Sequence, residues 1–211
     1  MGYFENPQDT AELLLRVLCD RPQSTPIIYL LGHTDANASS VLQKGAELWR
    51  KSHAKVALCG LEDCPPYAGA REWTEKLTEL RVHGEYVLPI QQTLDIVPVP
   101  CTDTEMISLL RYMRANGMVS VILVTPSFHA MRTMVSAVSA MKRLDIWVRA
   151  YMVVGELQDW DIPVQNTQGR PPVTRAEEIT SEMAKVERYF AKGDHVSLAE
   201  VTDYFRHRHT L

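Results

Sequence analysis

Residues 119–134 read VSVILVTPSFHAMRTM, and this stretch contains the unit from which the chain is built. The run 119–124 is apolar apart from Ser120, and Thr125-Pro126-Ser127 then interrupts it. Beyond the interruption, Met131, Val135 and Val138 recur at helical spacing. A strand therefore passes almost directly into a helix, and polar residues crowd the junction.

The same unit recurs in both directions. Apolar runs of strand length lie at 27–31, 56–59 and 147–154, with a shorter one at 86–90. They are mostly continuous rather than alternating, the pattern of strands covered on both faces. Between them, Val41, Ala46, Leu48 and Trp49, then Trp73, Leu77 and Leu80, then Met106, Leu109, Leu110 and Met113 keep helical spacing. The alternation predicts an α/β fold: a three-layer, Rossmann-like doubly wound sheet of about five mainly parallel strands with helices on both faces. With 211 residues, 45% of them apolar, one domain spanning 1–211 is expected.

Helix starts are read from a Ser, Thr or Asp followed three residues later by Glu or Gln, which together satisfy free amide donors. The pattern occurs at Asp9 and Glu12, Ser40 and Gln43, Thr102 and Glu105, Thr174 and Glu177, and Ser197 and Glu200. It places an N-terminal helix at about 9–19 and C-terminal helices within about 174–207. The segments 91–100 and 158–172 read as irregular.

A formal charge of −4 supplies no field for neutralising nucleic-acid phosphates, which excludes a broad duplex-binding surface. No apolar run is long enough to span a bilayer and the first residues lack the order of a secretory signal, so a soluble cytoplasmic protein without a membrane partner is expected. Cys19, Cys59, Cys64 and Cys101 show no short-spaced pairing and read as free thiols. The histidines and cysteines do not fall at a zinc spacing, so no metal is expected.

In an open parallel sheet, ligands bind beyond the carboxyl ends of the strands, where helix N-termini present amide donors. Three segments qualify: Gly32-His33-Thr34-Asp35-Ala36-Asn37, Cys59-Gly60-Leu61-Glu62-Asp63 and Thr125-Pro126-Ser127-Phe128-His129. With Ser127 as N-cap, His129 falls in the first helical turn and Arg132 one turn further on the same face. Arg132 would hold an anion in a fork and His129 would exchange a proton near neutral pH. The same residues also read as an ordinary capped helix with a surface His and Arg. His33 reads as an acid–base group or as a loop histidine, and Gly32 alone is no dinucleotide fingerprint. A capping box accounts for Thr102 and Glu105, and solvated helix surface for Glu72 and Glu182. Ser127 lacks the Gly-x-Ser-x-Gly elbow of a hydrolase nucleophile.

The stretch Leu123-Val124-Thr125-Pro126-Ser127-Phe128-His129-Ala130-Met131-Arg132 resembles the SanA, YdcF and ElyC family of bacterial domains, whose motif is Val-Thr-Ser, an aromatic residue, His, two spacers and Arg. The resemblance runs from about 26 to 191. It includes Leu31-Gly32, Gly45-Ala46-Glu47-Leu48-Trp49, Cys59-Gly60, Ala70-Arg71-Glu72, Thr102 to Glu105, and Glu182-Met183-Ala184-Lys185 with Tyr189. The chain departs from the family at Val41, Leu42 and Gln43, where an Arg is usual, at His33 in place of a second glycine, and at Cys59-Gly60-Leu61 in place of Ser-Gly-Gly. The resemblance implies the soluble YdcF-like type, which binds S-adenosylmethionine.

Three expectations follow. The first is an enzyme, a hydrolase or transferase, acting on a phosphate-bearing or nucleoside-like small molecule, with His129, Arg132 and either Glu72 or Glu105 as its working groups. The second is a non-catalytic protein that binds S-adenosylmethionine or a nucleotide through Gly32, His33, Thr34, Cys59, Gly60, Thr102, Thr125 and Ser127. The third, ranked below them, is an interaction protein or homodimer using Tyr189, Phe190, Tyr204 and Phe205 in 174–211.

Overall fold

The computed structural model describes residues 2–62, 67–93, 95, 101–165 and 171–211. Cys64 and most of the segment 91–100 lie outside them, as do 166–170. The chain forms α1 (Pro7–Leu18), β1 (Ile27–Leu30), α2 (Asp35–Ser52), β2 (Lys55–Cys59), α3 (Ala70–Glu79), β3 (Val87–Ile90), α4 (Thr102–Ala115), β4 (Ser120–Thr125), α5 (Ala130–Leu144), β5 (Arg149–Val154), β6 (Pro163–Val164), β7 (Val173–Thr174), α6 (Arg175–Ala191) and α7 (Leu198–His207).

The first five strands make one parallel sheet in the order β3-β2-β1-β4-β5. Successive strand residues point to opposite faces, and each face has its own core. Ile27, Tyr29, Leu31, Val121 and Leu123 pack with α1, α4, α5 and α7, whereas Ile28, Leu30, Val56, Leu58, Ile122 and Val124 pack with α2 and α3. The α/β, Rossmann-like three-layer expectation is therefore the observed architecture. Its continuous apolar strands reflect burial on both sides. The segment read as irregular at 158–172 contains β6, which pairs antiparallel with β7.

Two of the capping boxes form, at Thr174–Glu177 and Ser197–Glu200. The others do not. Asn6 caps α1, accepting from the amides of Gln8 and Asp9 with Pro7 in the first turn, so Asp9 is already inside the helix. Ser40 lies within α2, where its hydroxyl donates to the Glu156 carbonyl at 2.6 Å. Gly155 permits that approach, since a Cβ there would sit 2.3 Å from Ser40 Oγ.

Both sheet edges are managed. β3 carries the exposed Pro89, which has no amide to offer another strand. Along β5, the Asp20 carboxylate accepts from the Met152 amide at 2.9 Å, and the Tyr204 hydroxyl accepts from the Ala150 amide at 2.6 Å. The Tyr204 hydroxyl also bonds to the Val148 carbonyl, and Arg208 donates to that of Ala150. Arg208 is buried against Asp20, with its guanidinium over the Tyr151 ring. The stretch after α7 is thus a docked 3₁₀ turn, Arg208–Thr210, and the aromatic residues Tyr204 and Phe205 belong to the core.

Candidate functional site

In a doubly wound sheet the crevice forms where the strand order reverses, because the two connections leave in opposite directions there. Here that point lies between β1 and β4. β1 delivers Gly32, His33 and Thr34 to the carboxyl edge beside Thr125 and the turn Ser127–His129 that follow β4. The Thr125 hydroxyl lies 3.3 Å from His33 Nε2, and the rings of His33 and His129 meet edge to face, with centroids 4.7 Å apart.

The junction is organised differently from a simple capped helix. Pro126 starts the 3₁₀ turn Ser127–His129, so Ser127 lies inside the turn and makes no cap; α5 follows from Ala130. The turn rotates His129 inward, where it is 3% exposed, and the Arg132 side chain is 13% exposed. Neither is a surface residue. Their partner is Glu182 of α6, itself 5% exposed and therefore no solvated helix carboxylate. His129 Nδ1 and Arg132 Nε both bond to Glu182 Oε2, while Lys185 Nζ reaches Oε1 at 2.6 Å. The fork of Arg132 that was expected to hold an anion is taken up inside the protein, Nε by Glu182, Nη1 by Thr102 and Nη2 by His129.

His129 has partners at both ring nitrogens. Nε2 lies 3.3 Å from Thr102 Oγ1, which also accepts from Arg132 Nη1 at 3.0 Å. Nδ1 faces the Glu182 carboxylate, an acceptor, and Arg132 Nη2, a donor, at 3.2 Å; the carboxylate favours the tautomer with its proton on Nδ1. Burial and the charge of Arg132 agree with this, pushing His129 down to about 4 against the pull of Glu182, so the ring is neutral at pH 7. Burial, aided by His129, likewise takes His33 well below its ordinary value. Although burial opposes ionisation of Glu182, Arg132 holds its carboxyl well below the usual range.

Thr102 and Glu105 do not form a capping box. Cys101 is the N-cap of α4, and the Thr104 hydroxyl accepts from the Cys101 amide at 2.8 Å. Glu105 is thereby released to cross under β1. Its carboxylate accepts from the Gly32 amide and the Tyr29 hydroxyl, both at 3.1 Å, and burial pushes it up to about 7 against these bonds. Glu105 consequently positions the backbone leading into His33, and the Gly32 amide is already engaged.

Other expected residues lie apart from the cluster. Glu72 pairs with Lys76 on the surface of α3. Cys59 is buried, and its carbonyl accepts from the Tyr67 hydroxyl at 2.8 Å. Gly60 is needed by the neighbouring strand, because a Cβ would lie 2.7 Å from the Ile90 carbonyl oxygen.

A cavity of about 30 Å³ sits against the cluster, lined among others by His33, Thr34, Asn37, His129, Glu178 and Lys185. That space admits a water-sized group, so one functional group of a ligand fits there and a whole nucleoside does not. Glu178, Glu182 and Lys185 supply a polar stripe on the inward face of α6, at i, i+4 and i+7. Asn37 lies in the first of the three segments expected at the ligand edge and Glu182 in the closing motif of the resemblance, whereas Glu178 carried no signal beyond its spacing from Glu182 and Lys185 on one helical face. Arg175 ties the elements together, donating to Asn37 Oδ1 at 2.9 Å and to the Asp159 carbonyl at 2.7 Å. Among the described residues, no group of three or more His, Cys, Asp or Glu side chains could hold a metal ion, and no helix is long and apolar enough to cross a membrane. Comparison of the chain with protein families, curated proteins and solved structures finds no match.

Proposed function

We propose that the chain is an enzyme of the SanA, YdcF and ElyC type that handles a proton on a small polar molecule, with His129 as the acid–base group. The observation carrying this reading is a buried imidazole, bonded through Nδ1 to a buried carboxylate, beside a cavity at the switch point of the sheet. A carboxylate on Nδ1 orients the ring and stabilises the imidazolium that forms when Nε2 takes a proton. Thr102 lies on that Nε2 and relays or releases the proton. His129, Arg132, Glu182 and Lys185, separated in sequence, meet in one cluster, which supports the family reading. Of the expected substrate classes, phosphate-bearing and nucleoside-like, the cavity favours the first, because it takes one functional group and not a whole nucleoside. Thr34 makes no side-chain cap on α2, so the amide end of this long helix beside the cavity favours an anionic group.

A panel of phosphate monoesters, phosphoanhydrides and nucleosides tests the reading. His129→Gln keeps a donor toward Glu182 and is expected to lower turnover by about 10²–10⁴-fold, the usual contribution of a positioned acid–base group. Turnover unchanged by H129Q, or no turnover of any panel member by the parent protein, overturns it.

One observation favours a second reading. Both nitrogens of His129 and the fork of Arg132 already have protein partners, as in a purely structural network. The chain is then a binding protein for S-adenosylmethionine or a nucleotide. Thermal stabilisation by either compound without its consumption selects this reading.

A further inference from the structure

Phe128, Arg132 and Glu182 contribute to the lining of two neighbouring cavities. One is the polar space beside His129. The other is a groove of about 140 Å³ between α1, the Ser127–His129 turn, α5, the loop carrying Trp160, and α6. Leu14, Leu18, Met131, Trp160, Ile179 and Met183 line it, and its polar lining comes from Ser127, Arg132 and Glu182. Leu18, Trp160 and Ile179 stand 45%, 38% and 39% exposed at the groove. Apolar surface of this kind, left in water beside a built polar cluster, gains about 25 cal/mol for each Å² that an occupant covers.

The dimensions and the lining limit the occupant. An apolar cavity of about 150 Å³ accepts one benzene-sized ring. A nucleobase has a comparable size, but its edge carries ring nitrogens and amino or carbonyl groups. In a groove lined mainly by Leu, Ile, Met and Trp, most of those would lose their hydrogen bonds to water without replacement. A hydrocarbon ring or short alkyl group has no such cost. The groove shares Phe128, Arg132 and Glu182 with the polar cavity, so the apolar and polar spaces adjoin at the His129 cluster.

We infer that the ligand of this site is bipartite, an aryl or short-alkyl compound whose hydrocarbon group occupies the groove between α1, α5 and α6 while its polar group meets the His129 cluster. This rests on the reading of the polar cavity given above, and it selects a hydrocarbon-bearing substrate over a nucleoside.

Calorimetric titration of the full chain with phenyl phosphate, inorganic phosphate, adenosine 5′-monophosphate and benzyl alcohol tests it. Phenyl phosphate is expected to bind at least about tenfold more tightly than inorganic phosphate, as burial of one apolar group predicts. It should also bind more tightly than the adenosine nucleotide. Ile179→Gln, a change at a half-exposed position, removes the advantage of the phenyl group and leaves inorganic phosphate binding as it was. If phenyl phosphate and inorganic phosphate bind equally and H129Q weakens both, the polar cavity stands and the groove assignment is overturned. If benzyl alcohol binds and is lost in I179Q while no phosphate binds, the ring site stands and the phosphate reading of the polar cavity fails. Absence of binding by both ring compounds, or a dimer whose formation I179Q abolishes, overturns the inference, the latter because a second copy is then the occupant.

Discussion

Glu105 shows how far one residue's surroundings can depart from its sequence context. Placed three residues after Thr102, it reads as half of a capping box; in the fold it supports β1 through Gly32 and Tyr29. Because its folded value of about 7 exceeds the ordinary carboxylate value, the native state binds the extra proton, and the associated stability is present below about 4.5 and lost as pH rises through 7. Glu105→Gln keeps an oxygen for both donors and removes the buried charge. The variant is expected to exceed the parent by at least about 1 kcal/mol at pH 8.5, with the gap closing by pH 5; urea unfolding at the two pH values measures it. His129 and Arg132 were legible because any residue just after a strand of a parallel sheet is near its ligand edge. Their partner Glu182 was marked only by the resemblance, since α6 follows some fifty residues later and local spacing does not say what its inward face meets.

At the level of elements, the helix starts separate pattern from geometry. Ser197 is extended and accepts from the amide of Glu200, so Ser197→Ala is expected to cost about 1 kcal/mol. Gln43 carries the same sequence signature with Ser40, yet it is an exposed position within α2, and Gln43→Ala should stay within about 0.5 kcal/mol of the parent. Shifts of the urea midpoint at constant slope compare the two. The signature worked where nothing helical preceded it, as at Thr174 and Ser197. It failed at Ser40 because α2 already begins at Asp35, and at Thr102 because Cys101 and Thr104 satisfy the same amides one residue earlier. Strands were read closely since continuous apolar runs have few other uses, whereas the two-residue strands β6 and β7 have no periodicity to read.

For the whole molecule, the buried polar cluster sets the response to acid. His129 and His33 both titrate below their ordinary value of 6.5, so from that pH downward the unfolded chain takes up protons that the folded one refuses. Glu105 opposes this with one proton above about 4.5, and the depressed Glu182 adds to the loss at lower pH. The net expectation is a loss of roughly 1 kcal/mol per pH unit from 6.5 toward 4.5, followed by calorimetry, with a shallower slope in H129Q. The sheet and its layers could be read from the chain because periodicity is a property of every segment; the cluster could not, because it is a property of the closed molecule. The flank of β5 carries a further implication, one concerning time. Residues 149–154 are synthesised well before Tyr204 and Arg208, so a chain still on the ribosome lacks the groups that cover the Ala150 amide and carbonyl, while Asp20 is already available to Met152. Neighbouring nascent chains could add a strand there until α7 arrives, which makes the pace of translation across α6 and the presence of chaperones determinants of yield.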